Sequence, residues 1–502
     1  MPDASLATPA AAPRIIPRSE HTISRSHISP NALRVLYRLR DAGFMAFLVG
    51  GCVRDLLIGI EPKDFDVATD ALPEQVKRLF RNSRLVGRRF RLAHVFFGRE
   101  IVEVATFRAT TAPSQGDEPL PEADPEDGEA PELDPTPEGE ELADAAPAAL
   151  AERPPAVRAG RAGGEPDKGS SAERHVDPTG RILRDNLYGT IDEDVWRRDF
   201  TANALYYNIA DLSLWDYVNG AQDIAARTLR LIGDPETRFR EDPVRMLRAA
   251  RFEAKLGFQL DRATAQPIAE LRGLLASVPP ARLFDETLKL FLTGHGARSF
   301  EVLRRRGLLA ALLPSVDAYF ASHPDSVVEK LLLQGLRNTD ARVLADKPVT
   351  PTFLFALLLY GPIAGIIEAA PPERWHELTT ILEACDRATR EASVRIAIPK
   401  RFSLGVREMF ALQPRLEHPR GRRALRLLDH PRFRAGYDLL ALRAEAGLAP
   451  QAMAQWWTRM QEVSVEERGR MADAAAGEAG ARAPPATRRR RRRRRPRTAS
   501  SA

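Results

Sequence analysis

The chain has 502 residues, 44% hydrophobic and 28% charged, with a net charge of +6; at roughly 100–200 residues each, that length sets an expectation of about two to four domains. Two cysteines, Cys52 and Cys385, exclude a disulfide framework and a cysteine-built zinc site, and favour a reducing, cytoplasmic location. No run approaches the ~20 apolar residues of a membrane span, and the first residues lack the apolar stretch of a secretory signal.

Charge is unevenly placed. Thirteen Asp and Glu, with no Lys or Arg, fall between Gln115 and Ala145; eight consecutive arginines run from Arg488 to Arg495, with Arg497 beyond. Taking those nine arginines and thirteen acids away from +6 leaves +10, so the remainder is basic in its own right. A phosphate-rich partner, nucleic acid first, is the reading, beside the plain alternative of a soluble basic protein.

Residues 1–25 read as a flexible tail, rich in Ala and Pro at its start. Ser29-Pro30 then reads as a helix cap followed by proline at the first helical position, opening a helix over 31–42 with Leu33, Val35, Leu36 and Leu39 near one face. A strand over 44–49, a break at Gly50-Gly51 and a helix over 53–58 follow. The spacing next predicts a strand over 64–68, a helix over 74–80, and strands over 94–97 and 101–107 joined as a hairpin. Residues 111–180 have almost no aromatic or β-branched residues, are rich in Pro, Glu, Ala and Gly, and are expected to be disordered. Beyond 229 the pattern is helical, with examples over 242–256, 281–292, 299–312 and 436–446, and 466–502 reads as a disordered arginine-rich tail. The expected class is α+β: a sheet domain from 26–110 plus 181–228, then all-helical segments over 229–295 and 296–465.

Four clusters could carry chemistry. Gly50 and Gly51 between strand and helix let backbone N–H groups approach an anion, and Arg54 offers a fork for phosphate; a plain tight turn is the bland alternative. Asp64 and Asp66, two apart on an extended segment, point to one side and leave Phe65 for the core; paired carboxylates suit a divalent cation such as Mg²⁺, or Mn²⁺, since both accept oxygen ligands, against the alternative of a solvated strand end or an Asp turn. Glu103, alone in an apolar strand, would complete a three-carboxylate site, or is merely an edge-strand acid. Arg197, Arg198, Asp199 and Asn203 form the third cluster: Asp199 supports a metal or orients an arginine, and Asn203 bonds a sugar, against the alternative of a capped helix. In the fourth, Asp242 precedes a helix on which Arg245, Arg248 and Arg251 recur every three residues, a ladder able to read a base edge and hold a triphosphate, or a surface row of ion pairs.

The order of these motifs, Gly-Gly-x-Val-Arg-Asp, Asp-x-Asp, Arg-Arg-Asp-Phe-Thr-x-Asn-Ala-Leu and Glu-Asp-Pro-x-Arg-x-Leu-Arg, resembles the class II tRNA nucleotidyltransferase/poly(A) polymerase family from about Arg14 to Trp457. The segment Leu85–Val95, the stretches Ala397–Phe402 and His430–Ala444, and the arginine tail look like its poly(A) branch. The resemblance implies a head with a nucleotidyltransferase sheet, followed by helical neck, body and tail. It implies Mg²⁺ on Asp64 and Asp66, catalytic roles for Asp199 and Glu103, and triphosphate contacts from Gly51 and Arg54. Arg198, Asp242, Arg245, Arg248 and Arg251 would form the nucleotide pocket, with Asp242 and Arg245 reading the base. ATP and RNA 3′ ends would be the substrates, the product a chain extended by AMP, and the enzyme a monomer linked to RNA decay. The insert over 110–180 is longer than the family usually carries. Two rival readings stand beside this one: a CCA-adding enzyme, and a catalytically inactive RNA-binding adaptor.

Overall fold

A computed structural model of the chain describes residues 12–87, 91–109, 174–176, 182–185, 188–419 and 421–482. The disordered readings of 111–173 and of the arginine run lie outside the described residues.

The N-terminal part is built on one eight-stranded sheet. Its strands are β1 (Arg14–Ile16), β2 (Ala46–Val49), β3 (Asp66–Thr69), β4 (Ser83–Val86), β5 (Leu92–Phe97) and β6 (Glu100–Thr106). After a separate hairpin of β7 (Arg174–Val176) and β8 (Ile182–Asp185) come β9 (Leu205–Asn208) and β10 (Leu214–Asp216). The order is β1-β10-β9-β2-β3-β6-β5-β4, antiparallel except for the parallel pair β3–β6.

Helices α1 (Pro30–Asp41), α2 (Gly51–Leu57) and α3 (Pro73–Leu79) cover one face. The start of α1 follows the sequence pattern: Ser29 Oγ accepts from the Asn31 and Ala32 N–H groups, Pro30 takes the first turn, and Val35, Leu36 and Leu39 are fully buried. Period-two alternation turns Leu48, Val67, Val102 and Val104 toward these helices. Phe47, Val49, Ala68 and Tyr206 face the other way, against α4 (Ile191–Arg197), which covers only part of that second face.

The chain then becomes helical: α5 (Gly220–Ala225), α6 (Pro235–Glu241), α7 (Val244–Leu256), α8 (Arg262–Ala265), α9 (Ile268–Leu271), α10 (Pro280–Phe291) and α11 (Gly296–Arg305). Further helices, including Leu378–Ile396 and Lys400–Glu417, continue to Arg482. One apolar core runs from Ile16 in the sheet domain to Leu442 in the helices. The α+β class stands as read.

Several local expectations are corrected. Arg14–Ile16 is not flexible tail but an edge strand on β10, with Ile16 buried; three residues carry no period, so only the partner strand defines it. Val465–Arg482 is helical where disorder was expected, and Arg174–Val176 is a strand inside the expected disordered segment. The helix over 299–312 is two, divided at Gly307, whose φ of +67° turns the chain. The second strand starts at Asp66, leaving Asp64 on the approach to it.

No single helix among the described residues is long and apolar enough to cross a membrane. The bent pair Pro351–Leu358 and Tyr360–Glu368 is so only jointly, and its Leu354, Phe355, Leu357 and Leu358, at 0–1% exposure, are core.

Candidate active site

Strand register assembles a row of side chains on the half-covered face. Val49 on β2 pairs with Asp66 on β3, Asp66 with Glu103 on β6, and Glu103 with His94 on β5. Asp66 and Glu103, two of the three sequence-predicted carboxylates, therefore share one face, while Asp64 lies on the approach to the strand. Burial first, then the charge of Glu103, push the Asp66 carboxyl up to about 6; Arg198 pulls it back, and Asp64 adds a lesser push. Glu103 is half exposed and lies 3.3 Å from His94 Nε2. Phe65 turns into the core at 7% exposure, as alternation requires.

The glycine turn abuts this row. Gly50 caps α2 with φ +77° and ψ −139°, and a Cβ added there would lie 3.6 Å from Asp66 Oδ2 and 3.8 Å from Arg198 Nη1. Arg198 is fixed from behind: it donates to Asp194 at 3.0 and 3.2 Å and to Tyr206 Oη at 2.7 Å, and Tyr206 donates to Asp194 at 2.7 Å. Cys52, donating to the Val49 carbonyl, has its thiol pushed up to about 12 by burial and by Asp66, so it is inert at neutral pH.

Other predicted residues are placed differently. Arg54 is 1% exposed and gives its donors to Asp55 at 2.6 and 2.9 Å and to Asn203 Oδ1 at 2.5 Å. That corrects its role as a phosphate fork, because its guanidinium has no donor edge facing solvent. Asn203, expected to bond a sugar, is 7% exposed and links Arg54 to Asp199 Oδ1 at 3.3 Å. Asp199 takes the second of its expected roles: Arg248 grips its Oδ2 at 2.5 and 2.8 Å. Burial alone would raise the Asp199 carboxyl, but Arg248 and the bonds from Phe200 and Asn203 hold it down at about 2.

The ladder on α7 is ion-paired. Arg245 donates to the Arg238 carbonyl and to Glu241 at 2.7 and 3.0 Å, Arg248 holds Asp199, and Arg251 donates to Glu286 on α10 at 2.7 Å. Asp242 binds Arg282 at 2.7 and 2.8 Å. The ring of Phe252 collects three guanidiniums, Arg54 at 5.4 Å, Arg248 at 5.5 Å and Arg251 at 4.6 Å, and meets Phe200 edge-on at 5.6 Å. Phe252 thus joins the glycine-turn helix to the ladder helix. Sequence reasoning missed it, as it missed Asp194, Tyr206 and His94. Asp194 stands four before Arg198, a visible helix-pair spacing; Phe252, four after Arg248, reads locally as core.

Among the described residues no three or more His, Cys, Asp or Glu are grouped to hold a metal ion by themselves. Asp64 and Asp66 are hard oxygen donors two residues apart, with Asp64 adding to the negative field at Asp66, the donor set a divalent cation completed by water and substrate phosphates would take.

Family models match three segments: a poly A polymerase head domain over 46–230, a probable RNA- and SrmB-binding site of polymerase A over 257–320, and a polymerase A arginine-rich C-terminus over 373–497. Poly(A) polymerase I of Salmonella typhi is 43% identical over 462 residues, 91% of this chain and 88% of the relative. The chain belongs to the poly(A) polymerase family. Another poly(A) polymerase I, from Escherichia coli O6:H1, is 44% identical over 89% of this chain and 85% of its own length. A CCA-adding enzyme of Lactobacillus helveticus is 31% identical but covers 54% of the chain and 52% of itself. A solved structure titled "tRNA-processing enzyme (apo form I)" superposes on this polymerase with TM-score 0.52 at 20% identity, covering 91% and 98% of the two chains; it shows a shared fold.

Proposed function

We propose that the protein adds AMP from ATP to RNA 3′ ends without a template, on the open sheet face beside the Gly50-Gly51 turn. Polyadenylation is supported by poly(A) polymerase I relatives 40–44% identical over 89–91% of the chain, whereas the CCA-adding relative matches 54% of it. The observation that supports this site within the fold is the Asp66 carboxyl, raised by burial and by Glu103 and set against the turn and Arg198.

The RNA 3′-hydroxyl attacks the α-phosphorus of ATP, a new phosphodiester forms, and pyrophosphate leaves with the electrons of the broken bond. Asp64 and Asp66 would hold Mg²⁺, which when bound supplies Lewis-acid charge at the reacting phosphate. Gly50 and Gly51 give the triphosphate backbone-close access. Arg198, braced by Asp194 and Tyr206, presents fixed positive charge beside Asp66. Glu103 keeps the face electronegative so that it favours the metal. Asp199 and Asn203 are positioning residues that set Arg248 against the glycine-turn helix. Asp242 and Arg245, now paired with Arg282 and Glu241, are the base readers, exchanging those partners for the adenine edge.

The test is incubation of purified protein with a short RNA, Mg²⁺ and each nucleoside triphosphate singly. A product ladder with ATP alone is expected; cytidylate added to a tRNA lacking its 3′ end would establish the CCA-adding rival, and no ladder the inactive adaptor. Replacing Asp64 and Asp66 with Ala should abolish extension and leave RNA binding nearly intact.

A further inference from the structure

The helices at Tyr360–Glu368, Lys400–Glu417 and Phe433–Glu445 enclose a cavity of about 890 Å³, lined wholly by residues between 360 and 448 and sharing none with the active site. Its size is that of a ligand site. The buried floor is apolar and its polar groups Tyr360, Gln413, Glu417 and Arg443 are bonded to one another, while Glu368, His376 and His418 line the cavity on its exposed side. Ile363 and Phe410 are buried, Tyr360 packs on Phe410 at 5.6 Å, and Tyr360 Oη accepts from Arg443 at 3.0 Å. Arg443 also donates to Gln413 and Glu417. What the floor offers is ring faces and methyl groups.

The mouth differs. Trp375 spends its one N–H on the Ala370 carbonyl at 2.8 Å, which fixes the indole while leaving it 37% exposed. Arg415 and Arg423 also line the cavity and are exposed, with no hydrogen bond or ion pair among the described residues. Neighbouring Arg407, Arg432, Arg434 and Arg443 are all ion-paired. An aromatic face, an apolar floor and two uncommitted guanidiniums against the one exposed carboxylate of Glu368 line the same cavity, which matches a planar base carrying phosphate.

We propose that this cavity holds one nucleotide of the RNA strand upstream of its growing 3′ end, the base stacked on Trp375 and the flanking phosphates on Arg415 and Arg423. This rests on the reading that RNA is the substrate. Among the described residues the buried floor has no orphaned polar atom to read a base edge, so the base is held by stacking with little discrimination. It gives the enzyme a hold on the strand that persists while the 3′ end is advanced.

The experiment measures binding of oligo(A) of about 20 nucleotides to the full chain without nucleoside triphosphate. A wild type that binds RNA but fails to polymerise would therefore sink the proposed function and leave this readout intact. Oligo(A) should quench tryptophan emission in the wild type more than in Trp375→Phe. Trp375→Leu should weaken binding about tenfold, as loss of one base–aromatic stack does, and Trp375→Phe should keep most of the affinity. The double variant Arg415→Gln/Arg423→Gln should lower the slope of log affinity on log salt by ~1.4, at ~0.7 per phosphate on a single strand. The KM for ATP should not move in either. Should Trp375→Leu fail to fold, the exposed arginine pair carries the test alone. Unchanged affinity and salt slope would overturn the proposal, as would AMP saturating the cavity without competition from oligo(A), or an apolar ligand filling it with RNA binding unaffected.

Discussion

Asp66 offers a direct check on the electrostatics of the site. Its carboxyl stands at about 6 in the folded protein against 3.8 for the free group, so the fold works against its ionised form. Between pH 3.8 and about 6 the native state holds more protons than the unfolded chain, and stability must fall as pH rises through that window. Above about 6.5 the full cost is present, at most about 3 kcal/mol at 1.36 kcal/mol per pH unit. Asp66→Asn removes the charge and keeps the shape. In metal-free protein at pH 7.5 the variant should be the more stable by up to that amount, seen as a rise in Tm of several degrees. The gap should close below pH 4, where both side chains are neutral. Adding Mg²⁺ should raise the Tm of the wild type and narrow the gap, while the variant stays inactive. Thermal melts across pH 3.5–8, with and without chelator, read all of this. An Asp66→Asn protein that melts lower than wild type at pH 7.5, or a gap indifferent to pH, would refute the charge-crowding argument.

Asp199 predicts the opposite sign. Its carboxyl is held at about 2, so its contribution is present above pH 4 and lost as pH falls toward 2; Asp199→Asn should lack that acid limb. It should also cost about 2 kcal/mol, less than the ~3–5 of a fully buried pair because Arg248 is one-third exposed, measurable by denaturant unfolding. Phe252→Leu should keep the core filled and lose three guanidinium–ring contacts, ~1 kcal/mol each when partly desolvated; kcat/KM for ATP should drop about tenfold, with Phe252→Tyr restoring it. Gly50→Ala meets only ordinary contacts at 3.6 and 3.8 Å, so its penalty is the backbone φ of +77°. A cost of about 1–3 kcal/mol for that glycine-favoured backbone and a larger loss of activity than of Tm are expected, and full activity would show that the turn does not approach the substrate.

Local chemistry made much of this protein legible. A serine before a proline marked the start of α1, alternation put Phe65 in the core opposite Asp66, and motif order pointed to the family. Those features depend on neighbours a few residues away or on side-chain periods of two and 3.6, which the sequence displays directly. The fate of the charged residues was not legible. Arg54 carries the same guanidinium whether it faces a phosphate or is walled in by Asp55 and Asn203, 149 positions away. Arg251 needed Glu286 and Asp242 needed Arg282, partners 35 and 40 residues on. Strand β1 needed β10 two hundred residues downstream. The sequence determined which residues could carry charge to the site. Only the tertiary structure decided which charges stay available for substrate, because burial and pairing depend on which distant segments the core brings together.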